Sequence, residues 1–383
     1  MMWLKNPNEH RLQDVNAQVL TPLVQKALER PLASVTTWQY RPMSGGFGGG
    51  MGGTFIYHFN GTADDQGQTV EWSMILKIIQ QRPDEDPASP KYWKREYEFY
   101  KSGLFDHLPG GMQAVRCYGT MEFEGEACWL WLEELHDVLG ETWPVEHYRT
   151  VGQHAGHFSG TFLHERALPA EPWLSTQWLR KTIAAVNSDI PNLADFVDIP
   201  FLKPVLPADA RTQFARLQAD CEYFLAALER LPQTIAHQDY FRRNVFARRS
   251  ADGGYKTVAV DWAFVGQAAV GAEAAAPVLI GLFGANIDPE RADEHERLVY
   301  EGYLAGLRDM NWNGDPRAVR LGYAATTALK FIELMAPMGF LTDPGFQAHI
   351  TSALGCPISQ YVHYVAAMNR LAYRMADEAR ALL

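Results

Sequence analysis

The residues best suited to do chemistry in this chain stand close together, late in the sequence. His237-Gln238-Asp239-Tyr240-Phe241-Arg242-Arg243-Asn244 is followed, seventeen residues after Asn244, by Asp261-Trp262. His237, Asp239 and Asn244 fit the pattern H-x-D-x-x-x-x-N, and Asp261 ends the β-branched run Val258-Ala259-Val260. An aspartate at a strand end can aim at a metal ion, and an asparagine with an aspartate supplies the hard oxygen ligands that Mg2+ prefers. A separate aspartate, Asp239, can accept or orient the proton of an attacking hydroxyl. A capping aspartate and a turn asparagine would give the same letters, so the weight rests on what accompanies them.

Three companions lie upstream. Seven of the nine residues from 45 to 53 are glycine, and Gly48, Gly50 and Gly53 fit G-x-G-x-x-G. Glycine there lets backbone N–H groups approach a phosphate with no Cβ in the way. By itself the pattern also suits a flexible hairpin loop. A strand rather than a helix follows, unlike a Rossmann site, and no Gly-Lys-Ser/Thr follows, unlike a Walker A loop. Lys77 lies inside the apolar stretch Met74-Ile75-Leu76-Lys77-Ile78-Ile79. A charge there is costly unless it is paired, although a lysine on an edge strand would simply face water. On the next predicted helix, Trp93, Tyr97, Tyr100 and Leu104 form the inner stripe. Glu96 falls within about 60° of that stripe and Glu98 points away, so Glu96 is the expected partner of Lys77.

The elements that must position these residues change character near residue 133. Before it, helical spacing marks 12–30 and 91–104, and β-branched and aromatic runs mark strands at 35–40, 54–59, 70–79, 115–119 and 127–132. Asn60-Gly61 reads as the start of a turn. After Glu133, helices are expected at 145–165, 172–185, 208–231, 289–309, 317–335 and 358–383. They are interrupted only by 234–246 and 258–262, which carry the chemical cluster. The expected organisation is a strand-rich lobe, 1–132, and a helical lobe, 133–383.

Glycine loop, Lys77, Glu96, His237-x-Asp239-x-x-x-x-Asn244 and Asp261-Trp262 follow one another in the order used by protein-kinase-like enzymes. The chain most resembles the aminoglycoside phosphotransferase and choline kinase branch, where a DW dipeptide stands in place of the DFG of protein kinases. The resemblance covers roughly residues 35–280. It implies an α+β, two-lobed protein-kinase-like fold: a small antiparallel-sheet N-terminal lobe with one helix and a larger, mostly helical C-terminal lobe. It implies that Lys77, held by Glu96, binds the α- and β-phosphates of ATP beneath the loop of Gly48, Gly50 and Gly53. Glu133 and Leu135, in a hinge at 132–135, would offer backbone groups to adenine, contacts that leave GTP open beside ATP. Asp239 would be the catalytic aspartate, Asn244 and Asp261 would hold Mg2+, and His237 would fix the catalytic loop. Many members have a second histidine and a glycine where this chain has Phe241 and Arg243. Arg242 and Arg243 either offset phosphate charge or pair with acids elsewhere, the structural reading being the favoured one. No required ligand is lost, so catalysis is expected; the alternative is a catalytically silent kinase-like binding protein.

The acceptor class also has a signal. From Trp262 to Ile280 there is no Ser, Thr or Tyr, so a phosphorylatable activation loop is missing. The expected acceptor is therefore a hydroxyl of a small molecule: an aminoglycoside, another antibiotic, an amino alcohol or a sugar. Glu273 falls where family members often carry an acid and reads as structural. Lys plus Arg number 34 against 45 Asp plus Glu, a net charge of −11, which disfavours a nucleic-acid partner and weakly favours a cationic acceptor. Four scattered cysteines without a CxxC pair argue against a cysteine zinc site or a disulfide framework. His154, His157 and His164 share a helix side but lack HExxH and read as separate histidines. The longest apolar run, 274–287, is broken by Pro277, Gly281 and Gly284 and is short of the roughly 20 residues that span a bilayer. With a charged, polar start in place of an apolar leader, the expectation is a cytoplasmic protein with no membrane partner.

Overall fold

A computed structural model describes residues 6, 9–43, 54–84, 86–190 and 192–383. The chain divides into two compact units. One comprises Met1–Asp86, Lys91–Asp106 and Ala114–His136, the other Pro87–Pro90, His107–Gln113 and Asp137–Leu383.

The first elements in chain order are α1 (Ala17–Leu28), β1 (Ser34–Met43), β2 (Thr54–Asp65), β3 (Gln68–Gln80), α2 (Arg95–Ser102), β4 (Met112–Ala114), β5 (Cys117–Phe123) and β6 (Ala127–Leu132). The first unit is built on one antiparallel sheet of order β1-β2-β3-β6-β5. Side chains alternate along β3, as the two-residue period of a strand requires. Trp72, Met74, Leu76 and Ile78 enter a core with Phe59 of β2, Trp129 and Trp131 of β6, and Leu20, Leu23 and Val24 of α1. The other face carries Lys77, in register with Ile56 on one side and Leu130 on the other. Paired on both sides, β3 is no edge strand at this point, and the water-facing reading of Lys77 fails.

Asn60-Gly61 does not turn. β2 runs through it to Asp65, and the hairpin turns at Gln66-Gly67, both at positive φ (55° and 86°), a two-residue loop of the kind that suits twisted strands. The glycine at 61 serves a close approach instead: a Cβ there would lie 2.0 Å from the Thr37 carbonyl oxygen of β1. The predicted helix at 91–104 shortens to α2, which Gly103 ends at φ 63°. The strand expected at 115–119 lies at Cys117–Phe123, where it pairs with β6.

The second unit continues with α3 (His147–Gly160), α4 (Trp178–Asp189), α5 (Ala210–Arg230), β7 (Gln233–Ala236), β8 (Val245–Arg249), β9 (Tyr255–Ala259), β10 (Gly266–Ala269), α6 (Ala276–Phe283), α7 (Ala292–Asp309), α8 (Pro316–Met335), α9 (Pro344–Leu354) and α10 (Ile358–Leu382). A π-helical turn, Thr161–Glu165, extends α3. α3 and α7 meet backbone to backbone. A Cβ at Gly152 would lie 2.2 Å from the Val299 carbonyl oxygen, and one at Gly306 would lie 2.0 Å from that of Gln153. α6 was not expected. It is apolar all round and every residue of it is buried, so it has no amphipathic period to read. Among the described residues one segment, Pro316–Thr342, is long and apolar enough to cross a membrane, and 67% of its most apolar window lies buried inside the fold.

Candidate active site

In the sheet unit, Lys77 Nζ lies 2.5 Å from Glu96 Oε2, with the two side chains 9% and 2% exposed. Glu96 enters from the first turn of α2, whereas Glu98 sits 3.7 Å from Lys94. The stripe argument thus picks the glutamate that turns inward. Gly48, Gly50 and Gly53 lie outside the described residues. The Glu133 N–H donates to the Arg116 carbonyl at 2.9 Å, so any base contact at Glu133 falls to its carbonyl. Leu135 follows, half-buried, in chain without regular structure. A cavity of about 880 Å3 opens beside Glu133 and Glu134, but Lys77 and Glu96 are not in its wall.

In the helical unit, one hairpin explains the seventeen-residue spacing. β8 and β9 are antiparallel, with Val245 opposite Ala259, and the Val260 N–H donates to the Asn244 carbonyl at 2.9 Å. Asn244 just before β8 and Asp261 just after β9 therefore come to the same end of the ladder. β7 delivers His237 and Asp239 to that end. His237 Nε2 donates to the Val260 carbonyl at 2.9 Å, its Nδ1 accepts the Asp239 N–H at 3.3 Å, and its ring packs 4.5 Å from that of Trp262. Both ring nitrogens serve the backbone, so His237 shapes the loop and has no nitrogen left for proton transfer.

Two buried charges pin the same loop. Glu273, 1% exposed, accepts the N–H groups of His237 (2.6 Å) and Gln238 (3.3 Å) on one oxygen. Lys330, 5% exposed, donates to the Gln238 carbonyl at 2.8 Å. Between them Gln238 is held at φ 70°, a conformation a non-glycine residue keeps only when its surroundings impose it. Glu273 was read from sequence as structural. Lys330 was missed, although a lysine inside the apolar run Ala328-Leu329-Lys330-Phe331 carries the same signal as Lys77.

Asp239 is half-buried. Burial, and next the charge of Asp261, push its carboxyl up to about 7, against the pull of Lys330 and the Asn244 hydrogen bond. Asn244 Nδ2 donates to Asp239 Oδ2 at 2.7 Å and to the Asp239 carbonyl at 3.0 Å, which leaves its amide oxygen for another partner. A carboxyl raised by a second carboxylate, beside an amide oxygen, fits a hard divalent cation. No group of three or more His, Cys, Asp or Glu among the described residues forms an all-protein cage. Mg2+ does not need one, because phosphates and water complete its shell.

Both arginines of the loop are committed to the fold. Arg242 lies 3.4 Å from Asp137 Oδ2, donates to the Gly140 carbonyl at 2.5 Å and lies over the Trp143 ring at 4.5 Å. Arg243 donates to the carbonyls of Ala353 (3.1 Å) and Gly284 (3.2 Å). Asp137 is a second residue that sequence reading missed: it also accepts the Trp143 indole N–H and the Ala247 N–H, each at 3.0 Å. His154 meets Thr257 and His157 meets Asp309, and the two rings lie 5.9 Å apart.

No family model and no curated protein matches the chain. Solved structures do. A microcompartment-associated aminopropanol kinase is 17% identical, covers 95% of this chain and 100% of its own, and superposes with a TM-score of 0.54. An amicoumacin kinase, solved in complex with AMP-PNP, Ca2+ and Ami, is 13% identical over 96% of each chain, with a TM-score of 0.52. This chain has the kinase-like fold. The kinase-like fold is α+β, with an antiparallel-sheet region and a helical region, as the order of motifs implied.

Proposed function

We propose that this protein is a small-molecule phosphotransferase, moving the γ-phosphate of ATP, with Mg2+, to a hydroxyl of a small molecule. The observation that carries the reading is the buried Lys77–Glu96 pair. A sealed ion pair is a poor source of stability, because desolvation offsets its attraction, but a good way to hold an ammonium for a phosphate. The kinase-like fold supports the reading, as does the nucleotide analogue with a divalent ion in the amicoumacin kinase.

Lys77 neutralises phosphate oxygens while Glu96 keeps its ammonium in place. Glu133 and Leu135 present backbone groups to the base. Asn244 and Asp261 hold Mg2+, which when bound supplies charge neutralisation to the phosphates. Asp239 accepts the hydrogen bond of the acceptor hydroxyl and takes its proton as the new oxygen–phosphorus bond forms and the bond to the departing diphosphate breaks. Asn244 keeps the Asp239 carboxylate aimed. The rate comes from positioning and electrostatics, because the transition state of phosphoryl transfer is loose. The four cysteines are free thiols, which fits the reducing cytoplasm.

ADP release from Mg-ATP across a panel of aminoglycosides, macrolides, amino alcohols, polyols and sugars tests the reading. A general base is worth about 10²–10⁴ in rate, so Asp239→Asn should lose that much turnover and still bind Mg-ATP in calorimetry. An unchanged rate in that variant would remove Asp239 from the chemistry. Silence across the panel with Mg-ATP binding intact would point to the catalytically silent alternative.

A further inference from the structure

Two residues of the candidate site stand in the left-handed region, Gln238 at φ 70° and Asp261 at φ 62°. Glycine enters that region at little cost, whereas a residue with a Cβ is strained there. Strain of this kind gathers where function needs a fixed geometry. A glutamine that accepts it must gain something a glycine could not supply.

The Gln238 side chain reaches the turn that carries Asp261. Its Nε2 donates to the Phe264 carbonyl at 3.0 Å, and the neighbouring His237 Nε2 donates to the Val260 carbonyl at 2.9 Å. Two consecutive side chains of the Asp239 loop thus bracket Asp261. One bond falls on the residue before it, the other on the third residue after it. The chain between is a single short turn, Trp262–Phe264, closed by the Val265 N–H on the Trp262 carbonyl at 3.2 Å. One such turn holds its own geometry weakly.

The contacts of Gln238 close into a ring. The Phe264 ring lies 5.2 Å from the Trp178 ring, and Lys330 Nζ lies 4.6 Å from the other side of the chain of contacts, over the same Trp178 ring. Lys330 Nζ then donates back to the Gln238 carbonyl at 2.8 Å, while the Gln238 N–H donates to Glu273 at 3.3 Å. Gln238 is buried, and its N–H, its carbonyl and its amide nitrogen all meet protein partners. The main chain of Gln238 is therefore fixed on both sides, and its amide carries that fixity to the Asp261 turn.

We propose that Gln238 is a positioning residue for the metal ion: its amide, projected from a strained backbone, holds the Asp261 turn in the left-handed conformation from which Asp261 would bind Mg2+. This rests on the phosphotransferase reading above, and it adds a residue that acts only through another. A bond that merely satisfied the Phe264 carbonyl would serve stability; a positioning bond serves metal affinity as well.

Gln238→Gly and Gln238→Leu separate the two. The glycine variant removes both the strain and the amide bond, and the leucine variant removes the bond alone. Calorimetry of the full chain with ATP is run once with Mg2+ and once with EDTA, beside urea unfolding. Both variants should bind Mg-ATP about tenfold more weakly than the parent, the worth of one hydrogen bond, and should bind ATP in EDTA as the parent does. The urea midpoint of Gln238→Gly should lie above that of Gln238→Leu, because only the glycine relieves the strain. If Gln238→Leu does not fold, the glycine variant decides alone. The proposal falls if Gln238→Gly binds Mg-ATP as tightly as the parent. It also falls if binding with Mg2+ and binding in EDTA weaken equally, since that is damage to the nucleotide site at large. Absent Mg-ATP binding by the parent would remove the phosphotransferase reading and this role with it, whereas parental Mg-ATP binding matched by Gln238→Gly would remove this role alone.

Discussion

Lys77 in the sheet unit meets a charged side chain, Glu96, whereas Asp239 in the helical unit stands on a loop whose backbone is tied down by Glu273, Lys330 and His237. The first arrangement depends on a charge meeting a charge. The second depends on hydrogen bonds to main-chain groups, with the charges set behind the loop. The difference follows from the elements. A β-strand fixes where a side chain points, so Lys77 needs only a partner. A loop fixes nothing by itself, and its carbonyls and N–H groups must be satisfied where they are buried. The two units should therefore fail differently when single residues change.

The largest effect is expected at Asp261, which in the proposed function would hold the metal ion. Asp261→Ala should weaken Mg-dependent nucleotide binding about a hundredfold or more, the several kcal/mol that a metal ion contributes. Calorimetry with Mg2+ and with EDTA reads it, and retained tight Mg-ATP binding would refute the role. The next effect tests the sheet unit. Lys77→Met leaves Glu96 buried without its cation and should cost about 3–5 kcal/mol in urea unfolding. Lys77→Met with Glu96→Leu should recover most of that loss, because a packed apolar pair is often as stable as a buried ion pair. If the single variant were as stable as the parent, the pairing of charge with charge would not be what holds this site. A smaller loss, about 1–2 kcal/mol, is expected for Arg242→Ala, which gives up the Trp143 ring and the Asp137 and Gly140 contacts with no effect on Mg-ATP affinity.

The same contrast decides what the sequence could reveal. The Lys77–Glu96 pair was legible because a strand period and a helix period each assign a residue to a face, and two such assignments meet. The loop of His237, Asp239 and Asn244 was legible only as a pattern of letters. That Asn244 and Asp261 share one end of a hairpin is explained by the β8–β9 register, which sequence spacing permits but does not state. The apolar run around Lys330 marks it as a buried charge but does not say what it holds. It is remote from the loop in sequence, and only the packing of α8 brings its ammonium to the Gln238 carbonyl. Local rules also misled where burial outweighed them. Asn60-Gly61 has the composition of a turn, yet the alternation of Tyr57, Phe59 and Ala63 into the core carries the strand through it.

The last prediction concerns Glu273 and separates the two ways of using a buried charge. Burial raises its carboxyl to about 7, partly offset by the N–H groups of Gln238 and His237. A carboxyl raised in the folded state keeps its proton between its ordinary value and about 7, a range in which the unfolded chain has already released it. Folding stability attributable to Glu273 should therefore fall as pH rises through that window and level off above it, with a slope of up to about 1.4 kcal/mol per pH unit. Glu273→Gln retains an oxygen for the two N–H groups and cannot ionise, so it should flatten that part of the profile while leaving the loop in place. Denaturant unfolding of parent and variant at several values between pH 4.5 and 8 reads the difference. If both chains show the same slope, Glu273 is ionised throughout and holds the loop as a charge, as Glu96 holds Lys77. If the variant alone is flat, the helical unit anchors its loop with a carboxyl that is neutral for part of the range, and the contrast with the sheet unit stands.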